Sequence, residues 1–180
     1  IYFENSSNKK NLCFVLTIAK ALRLNLKTVL KAANKFRGLN YRQQIIYKSK
    51  KLLVINDSKS TSFSSTAPLL ESYKNIYWIL GGLAKKGDKL KLNKKYFSNI
   101  KAYVYGKDRN FLINSLPRKI SYKSSTSLKK IIRILFNNIR NDNIRKVILF
   151  SPSAASFDQF KNFEERGKYF KNIVKKSINE

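Results

Sequence analysis

Asp57-Ser58-Lys59-Ser60-Thr61 places a carboxylate, an ammonium and three hydroxyls side by side, directly after the run Leu52-Leu53-Val54-Ile55-Asn56. A second polar cluster, from Ser151 to Gly167, follows directly on Val147-Ile148-Leu149-Phe150. Short apolar runs bounded in this way read as buried strands. In open α/β sheets ligands collect just beyond the carboxyl ends of strands, so the two clusters predict a substrate site. Asp57, Lys59 and Thr61 can hold a carboxylate or phosphate. They equally suit a capped loop, because Asp and Ser cap helices and Lys is at home in solvent. Ser156 lies beyond the last strand and Phe163 where the last helix is expected to start, so a hydroxyl and helix-terminal amides can converge on one anion. The rings of Phe157, Phe160 and Phe163 fit core positions at near-helical spacing. Gly81-Gly82 closes another strand, where glycine lets backbone approach a ligand, and Lys85 adds positive charge. The G-x-x-x-x-G-K-[ST] spacing of a phosphate-cradling loop is absent, and a tight turn explains these glycines equally well. Arg42 can stack on a base or clamp phosphate oxygens, or simply stand in solvent.

The elements that must position these groups follow from periodicity. Apolar residues at Leu12, Val15, Leu16, Ala19 and Leu22 predict a helix over 7–22, with Ser7 or Asn8 as its cap. Leu26, Val29, Leu30, Ala33 and Phe36 predict a second over 26–36, with Gly38 as the stop. Residues 44–47 and 52–55 read as a hairpin around a charged turn. Further strands are expected at 76–80, 102–105 and 147–150, with a weak one near 119–122. Helices are expected at about 64–73, 107–115, 126–140 and 161–177. This alternation predicts an α/β fold with a mostly parallel sheet flanked by helices. The one boundary falls near residues 38–40, because a helical pair of this size cannot bury its apolar stripe alone.

Composition narrows the function classes. The chain has 180 residues, 43% of them hydrophobic, and carries a net charge of +28. Such a charge would suit nucleic acid or an anionic membrane. The lysines are scattered over helices and loops, however, so neither partner is expected, and the surplus favours phosphates in a nucleotide site. The chain has no histidine, which removes histidine-dependent triads and most zinc sites. The single cysteine, Cys13, lies in Leu12-Cys13-Phe14-Val15-Leu16 and is expected in the core. No apolar stretch approaches the roughly 18 to 20 residues of a membrane span, and a cytosolic protein is expected. The chain starts at Ile1, which suggests that an upstream segment is missing.

Gly38-Leu39-Asn40-Tyr41-Arg42, Asn56 to Thr61, Leu80-Gly81-Gly82-Leu83-Ala84-Lys85 and Ser151 to Gly167 stand in the order and spacing of the Mur ligases, and the chain resembles that family over most of its length. The resemblance implies a Rossmann-like domain over 40–180 with an N-terminal hairpin. It makes 1–39 the closing helices of a truncated ATP-binding domain, whose Asn-x-x-Asn signature matches Asn8 and Asn11. It implies ATP-dependent addition of D-glutamate to UDP-N-acetylmuramoyl-L-alanine in cell-wall precursor synthesis, with Mg²⁺ ligands and the P-loop mostly upstream. Such a fragment is expected to be monomeric and inactive alone. By the same resemblance Lys59, the catalytic candidate, and Thr61 face the amino acid, and Lys85 pairs with a substrate carboxylate. Ser156 and the backbone at Phe157 and Phe163 hold D-glutamate. Asn8, Asn11, Arg42 and Asp57 face the nucleotide. Two departures stand out: Ser7 and Tyr41 occupy positions where the family usually has histidine. Another Mur ligase or a folylpolyglutamate-type ligase is the alternative, and a basic nucleic-acid-binding module a more distant one.

Overall fold

Alternating short apolar runs and amphipathic segments build, in the computed structural model, two compact units, Ile1–Leu39 and Asn40–Glu180. The structure describes residues 3, 6–139 and 144–179. In the first unit, helices α1 (Ser6–Ala21) and α2 (Leu26–Lys35) pack as a pair. Because α1 starts at Ser6, Ser7 and Asn8 stand inside its first turn rather than ahead of it. Asn25 caps α2 by accepting from the Thr28 N–H at 3.2 Å. Cys13 is exposed, contrary to expectation. Successive helical residues turn by about 100°, so a run of five apolar residues cannot all face inward. Leu12, Leu16 and Ala19 take the inward side. The pair still leaves Phe14, Ile18, Leu22 and Leu30 in solvent, and α2 buries no residue.

The second unit is a six-stranded sheet made of β1 (Gln44–Lys48), β2 (Leu52–Asn56), β3 (Ile76–Gly81), β4 (Ile100–Tyr105), β5 (Ser121–Ser125) and β6 (Lys146–Phe150). The spatial order is β1-β2-β6-β3-β4-β5. The β1–β2 hairpin is antiparallel, and every other pairing is parallel. The weak strand expected near 119–122 is β5. A 3-10 turn over Lys94–Asn99, which periodicity did not predict, leads into β4.

Side chains alternate across the strands and generate two cores. One face gathers Ile55, Trp78, Leu80, Val104 and Leu149 against Phe63, Leu69 and Leu70 of α3 (Phe63–Ser72) and Leu112 of α4 (Arg109–Asn114). The other gathers Val54, Ile79, Tyr105, Ile148 and Phe150 against Ile131, Ile132 and Leu135 of α5 (Leu128–Ile139) and Phe170 and Val174 of α6 (Phe163–Asn179). The Phe150 and Phe170 rings stack at 4.1 Å between centroids. Strands β3 and β6 are buried at every position, as parallel strands covered on both faces must be.

The topology sets up the site. Strands β2 and β3 both send the chain on toward the α3 face, while β6 lies between them and sends it to α6 on the other face. The loops therefore part on either side of β6 at the carboxyl edge of the sheet, the place where open α/β sheets hold their ligands.

Candidate active site

Three strand ends supply the candidate groups at this edge, and a fourth adjoins them. The β2 loop carries Asp57, Lys59 and Thr61, the β6 loop carries Ser156 and Phe157, and the β3 loop carries Lys85. The last, after β4, begins at Gly106. Asp57 is buried. Its Oδ1 accepts from the Gln43 N–H at 3.1 Å and its Oδ2 from the Ser151 hydroxyl at 2.9 Å. The Lys59 N–H donates to the Tyr41 carbonyl at 3.0 Å. The strand-entry segment 41–43 is thus laced onto the β2 loop, with Tyr41 and Gln43 both held at positive φ, 62° and 50°. Exposed Arg42 stands between them, beside Asp57. Tyr41 is tied in further through its ring, which lies against Gly167; a Cβ there would strike it.

The two polar clusters meet. Lys59 Nζ lies 4.0 Å from the centroid of the Phe163 ring, so the cation sits at the start of α6. Ser156 is buried on the β6 loop, which Ala155 ties to Leu83 through paired backbone bonds of 2.9 Å each. That bridge brings the Lys85 loop alongside the Ser156 loop. Thr61 and Lys85 themselves are exposed. Phe157 is not a core ring, as its spacing suggested, but 69% exposed. Residues 157–159 form a turn rather than helix, so helical spacing does not govern where that ring points. Asn8 and Asn11 belong to the first unit, on α1.

The glycines serve a purpose other than the expected one. Cβ atoms at Gly81 and Gly82 would overlap the carbonyls of Tyr105 and Ala155 respectively. Their missing side chains make room for neighbouring protein backbone, not for a ligand.

Beneath the β2 loop runs a set of buried hydroxyls. Thr66 Oγ1 lies 2.7 Å from Ser60 Oγ, 2.8 Å from Ser151 Oγ and 2.7 Å from Ser153 Oγ, and Ser151 continues to Asp57. Trp78 anchors the same region by donating its indole N–H to the Ser151 carbonyl at 2.8 Å. Burial pushes the Asp57 carboxyl up from 3.8 to about 7, against the pull of the Ser151 hydroxyl, the Gln43 N–H and the Arg42 cation. The folded state then binds this proton more tightly than the unfolded chain. Its stabilising contribution is complete below pH 3.8 and is lost as pH rises through about 7. Asp57→Asn is expected to remove this part of the pH dependence. Urea midpoints at about pH 5 and pH 8 should fall with rising pH in the parent relative to the variant, with a slope no steeper than about 1.4 kcal/mol per pH unit. Parallel profiles for the two proteins would show that Asp57 stays ionised when folded.

Sequence reasoning missed Arg166. It is fully buried, and four of its five N–H donors are used. Nε donates to Ser58 Oγ at 3.0 Å and Nη2 to the Ser58 carbonyl at 2.7 Å. Nη1 donates to the carbonyls of Ala154 at 2.9 Å and Gly81 at 3.4 Å. A signal was present: Phe163, Arg166, Phe170 and Val174 follow one helical stripe, so the arginine occupies a core-facing position.

Two shallow depressions lie on this unit. One, about 500 Å³, is lined by Phe157, Asp158, Gln159, Phe160, Lys161 and Glu165 next to the β6 loop. The other, about 340 Å³, lies toward the amino ends of β3–β5 between Tyr77, Lys101 and Lys123, away from these groups.

No protein-family model matches the chain. It is similar to the UDP-N-acetylmuramoylalanine–D-glutamate ligases of Wolbachia sp. subsp. Brugia malayi and Rickettsia felis. Identity is 33% over 95% of this chain and 34% of the first relative, and 32% over 98% of this chain and 40% of the second. The chain thus spans between a third and two fifths of the length of these curated relatives. Among solved structures, the MurF ligase from Thermotoga maritima in complex with ADP shares the fold, with a TM-score of 0.63 at 15% identity, covering 96% of this chain and 39% of that one. A murein peptide ligase from Psychrobacter arcticus aligns with a TM-score of 0.53 at 13% identity, covering 97% and 37%.

Proposed function

Since this chain belongs to the Mur ligase family, we propose that residues 40–180 form the amino-acid-binding domain of an ATP-dependent ligase adding D-glutamate to UDP-N-acetylmuramoyl-L-alanine. Residues 1–39 would close the central ATP-binding domain. The reading is carried by the relatives, which match over 91% or more of this chain and are all named for that reaction. The apolar surface that α1 and α2 leave in solvent supports the assignment of the first unit, because a helical pair needs a larger body to cover such a face.

In the proposed reaction, the γ-phosphoryl group of ATP passes to the carboxylate of UDP-N-acetylmuramoyl-L-alanine, giving an acyl phosphate and ADP. The amine of D-glutamate then attacks the acyl carbon. The tetrahedral intermediate collapses by expelling inorganic phosphate, and the amine proton is released as the amide forms. Catalysis of this kind rests on positioning and on charge aimed at the developing anions. Lys59, held over Phe163, and Lys85 supply cations to the dicarboxylate. Thr61 and Ser156 supply hydroxyls, and the backbone at Phe157 and Phe163 supplies donors. Arg42, Asp57, Asn8 and Asn11 are assigned to the nucleotide. Mg²⁺ would neutralise phosphate charge. Among the described residues no group of three or more acidic, Cys or His side chains gathers to hold it.

The test is ATP-dependent ligation by the complete polypeptide carrying these residues, with D-glutamate, L-glutamate, L-lysine and diaminopimelate offered in parallel. Product with D-glutamate and none of consequence with the others is expected. Preference for L-lysine or diaminopimelate would move the chain to another branch of the family.

A further inference from the structure

We propose that Arg166 is the positioning residue of this site, clamping the loops after β2, β3 and β6 in the register at which Lys59, Lys85 and Ser156 can face one dicarboxylate. The identity of that ligand rests on the function proposed above, whereas the clamp rests on geometry alone.

Each bond from the guanidinium ends on a segment that carries a candidate residue. Ser58, which receives two of them, immediately precedes Lys59. Ala154 stands two residues before Ser156, and Gly81 four before Lys85. Arg166 itself lies one helical turn beyond Phe163, whose ring carries the Lys59 ammonium. Ser58 closes the circuit, because its hydroxyl accepts from Arg166 and donates to the Phe163 carbonyl at 2.8 Å. The Lys59–Phe163 pair is therefore held from both sides by a single side chain. Asn56 adds a parallel tie, donating to the Gly167 carbonyl at 2.8 Å.

The residue type is selected as sharply as the place. A planar fork reaches acceptors on three loops at fixed angles, and a lysine ammonium on a flexible stem cannot. All four bonds end on neutral groups, so the buried charge is balanced by dipoles instead of by a carboxylate partner. Burying a cation in this manner is costly, and a fold that needed only packing would be served better by an apolar side chain. The surroundings register the charge: burial pushes the Tyr105 phenol up to about 12, while the nearby Arg166 guanidinium pulls it down. The space is closed on the remaining side by Gly82, where an added Cβ would come within 3.2 Å of Arg166 Nη1.

Two readouts test the assignment. In this chain the Lys59 ε-methylene protons lie over the Phe163 ring and are expected to resonate upfield, identified by their loss in Lys59→Arg. In Ser58→Ala and Arg166→Lys, at a temperature where circular dichroism shows the variant folded, that upfield shift should fall by about half or more. Ser58→Ala leaves the arginine in place and serves if Arg166→Lys fails to fold. In the complete ligase the same variants should raise KM for D-glutamate about tenfold or more, with KM for ATP changed by less than about twofold. An unchanged Lys59 shift, or KM values that rise together for every substrate, overturns the role of Arg166. A parent enzyme that forms no D-glutamyl product overturns the proposed function instead, and the Lys59 resonance then decides the role of Arg166 by itself.

Discussion

Gly82→Ala is expected to destabilise the second unit by about 3–5 kcal/mol, enough to unfold much of the population at temperatures where the parent is intact. Gly82 adopts φ +130°, a conformation that L side chains rarely take, and its Cβ would overlap the Ala155 carbonyl. That carbonyl cannot retreat cheaply, because it accepts the Leu83 N–H at 2.9 Å in the bridge joining the β3 and β6 loops. Backbone strain and overpacking each cost about 1–3 kcal/mol and here act together. Gly87→Ala is the matched control, since Gly87 has φ +77° with nothing within 4 Å of an added Cβ. It should lose only about 1–2 kcal/mol. Thermal and urea unfolding of the two variants decides the matter, and equal midpoints would show that the bridge is dispensable.

Lys59→Met should lower ligation by the complete enzyme about 10²–10³-fold while barely changing its unfolding midpoint. The Lys59 N–H is bound to the Tyr41 carbonyl and its ammonium rests over the Phe163 ring, so the charge is preorganised instead of tumbling in solvent. Removing preorganised charge from a site of developing negative charge costs two to three orders of magnitude in rate. What the fold loses is the contact with the Phe163 ring, worth about 0.5–1 kcal/mol at a partly exposed position. Steady-state kinetics together with thermal unfolding separates the two effects. Activity within about threefold of the parent would falsify the catalytic role of Lys59.

Most of the architecture could be read from periodicity because each core strand is short, apolar and punctuated. Val147 to Phe150 and Ile76 to Leu80 can hardly be anything but strands buried on both faces. The two polar clusters were equally visible, and the Lys59–Phe163 pair joins them in space. What periodicity could not carry was the purpose of individual polar residues. Thr66 sits in a Ser- and Thr-rich stretch where any member could cap a helix; only the fold shows that Ser62 does so while Thr66 turns inward to Ser151 and Ser153. Gly81 and Gly82 were legible as glycines with a steric reason to exist, but the neighbours that require them, Tyr105 at the end of β4 for Gly81 and Ala155 on the β6 loop for Gly82, lie far away in sequence. Arg166 was overlooked because a charged residue in a helix rich in Lys and Glu reads as solvated until its place on the Phe163–Phe170 stripe is counted.

The position of β6 governs how the molecule can be assembled. It is the last of these six strands to be made, yet it belongs in the middle of the sheet, with Leu52 opposite Lys146. Until it emerges, the nascent chain holds two separate leaves, β1–β2 and β3–β4–β5, and both β2 and β3 present a naked edge. Such edges recruit one another between molecules during translation.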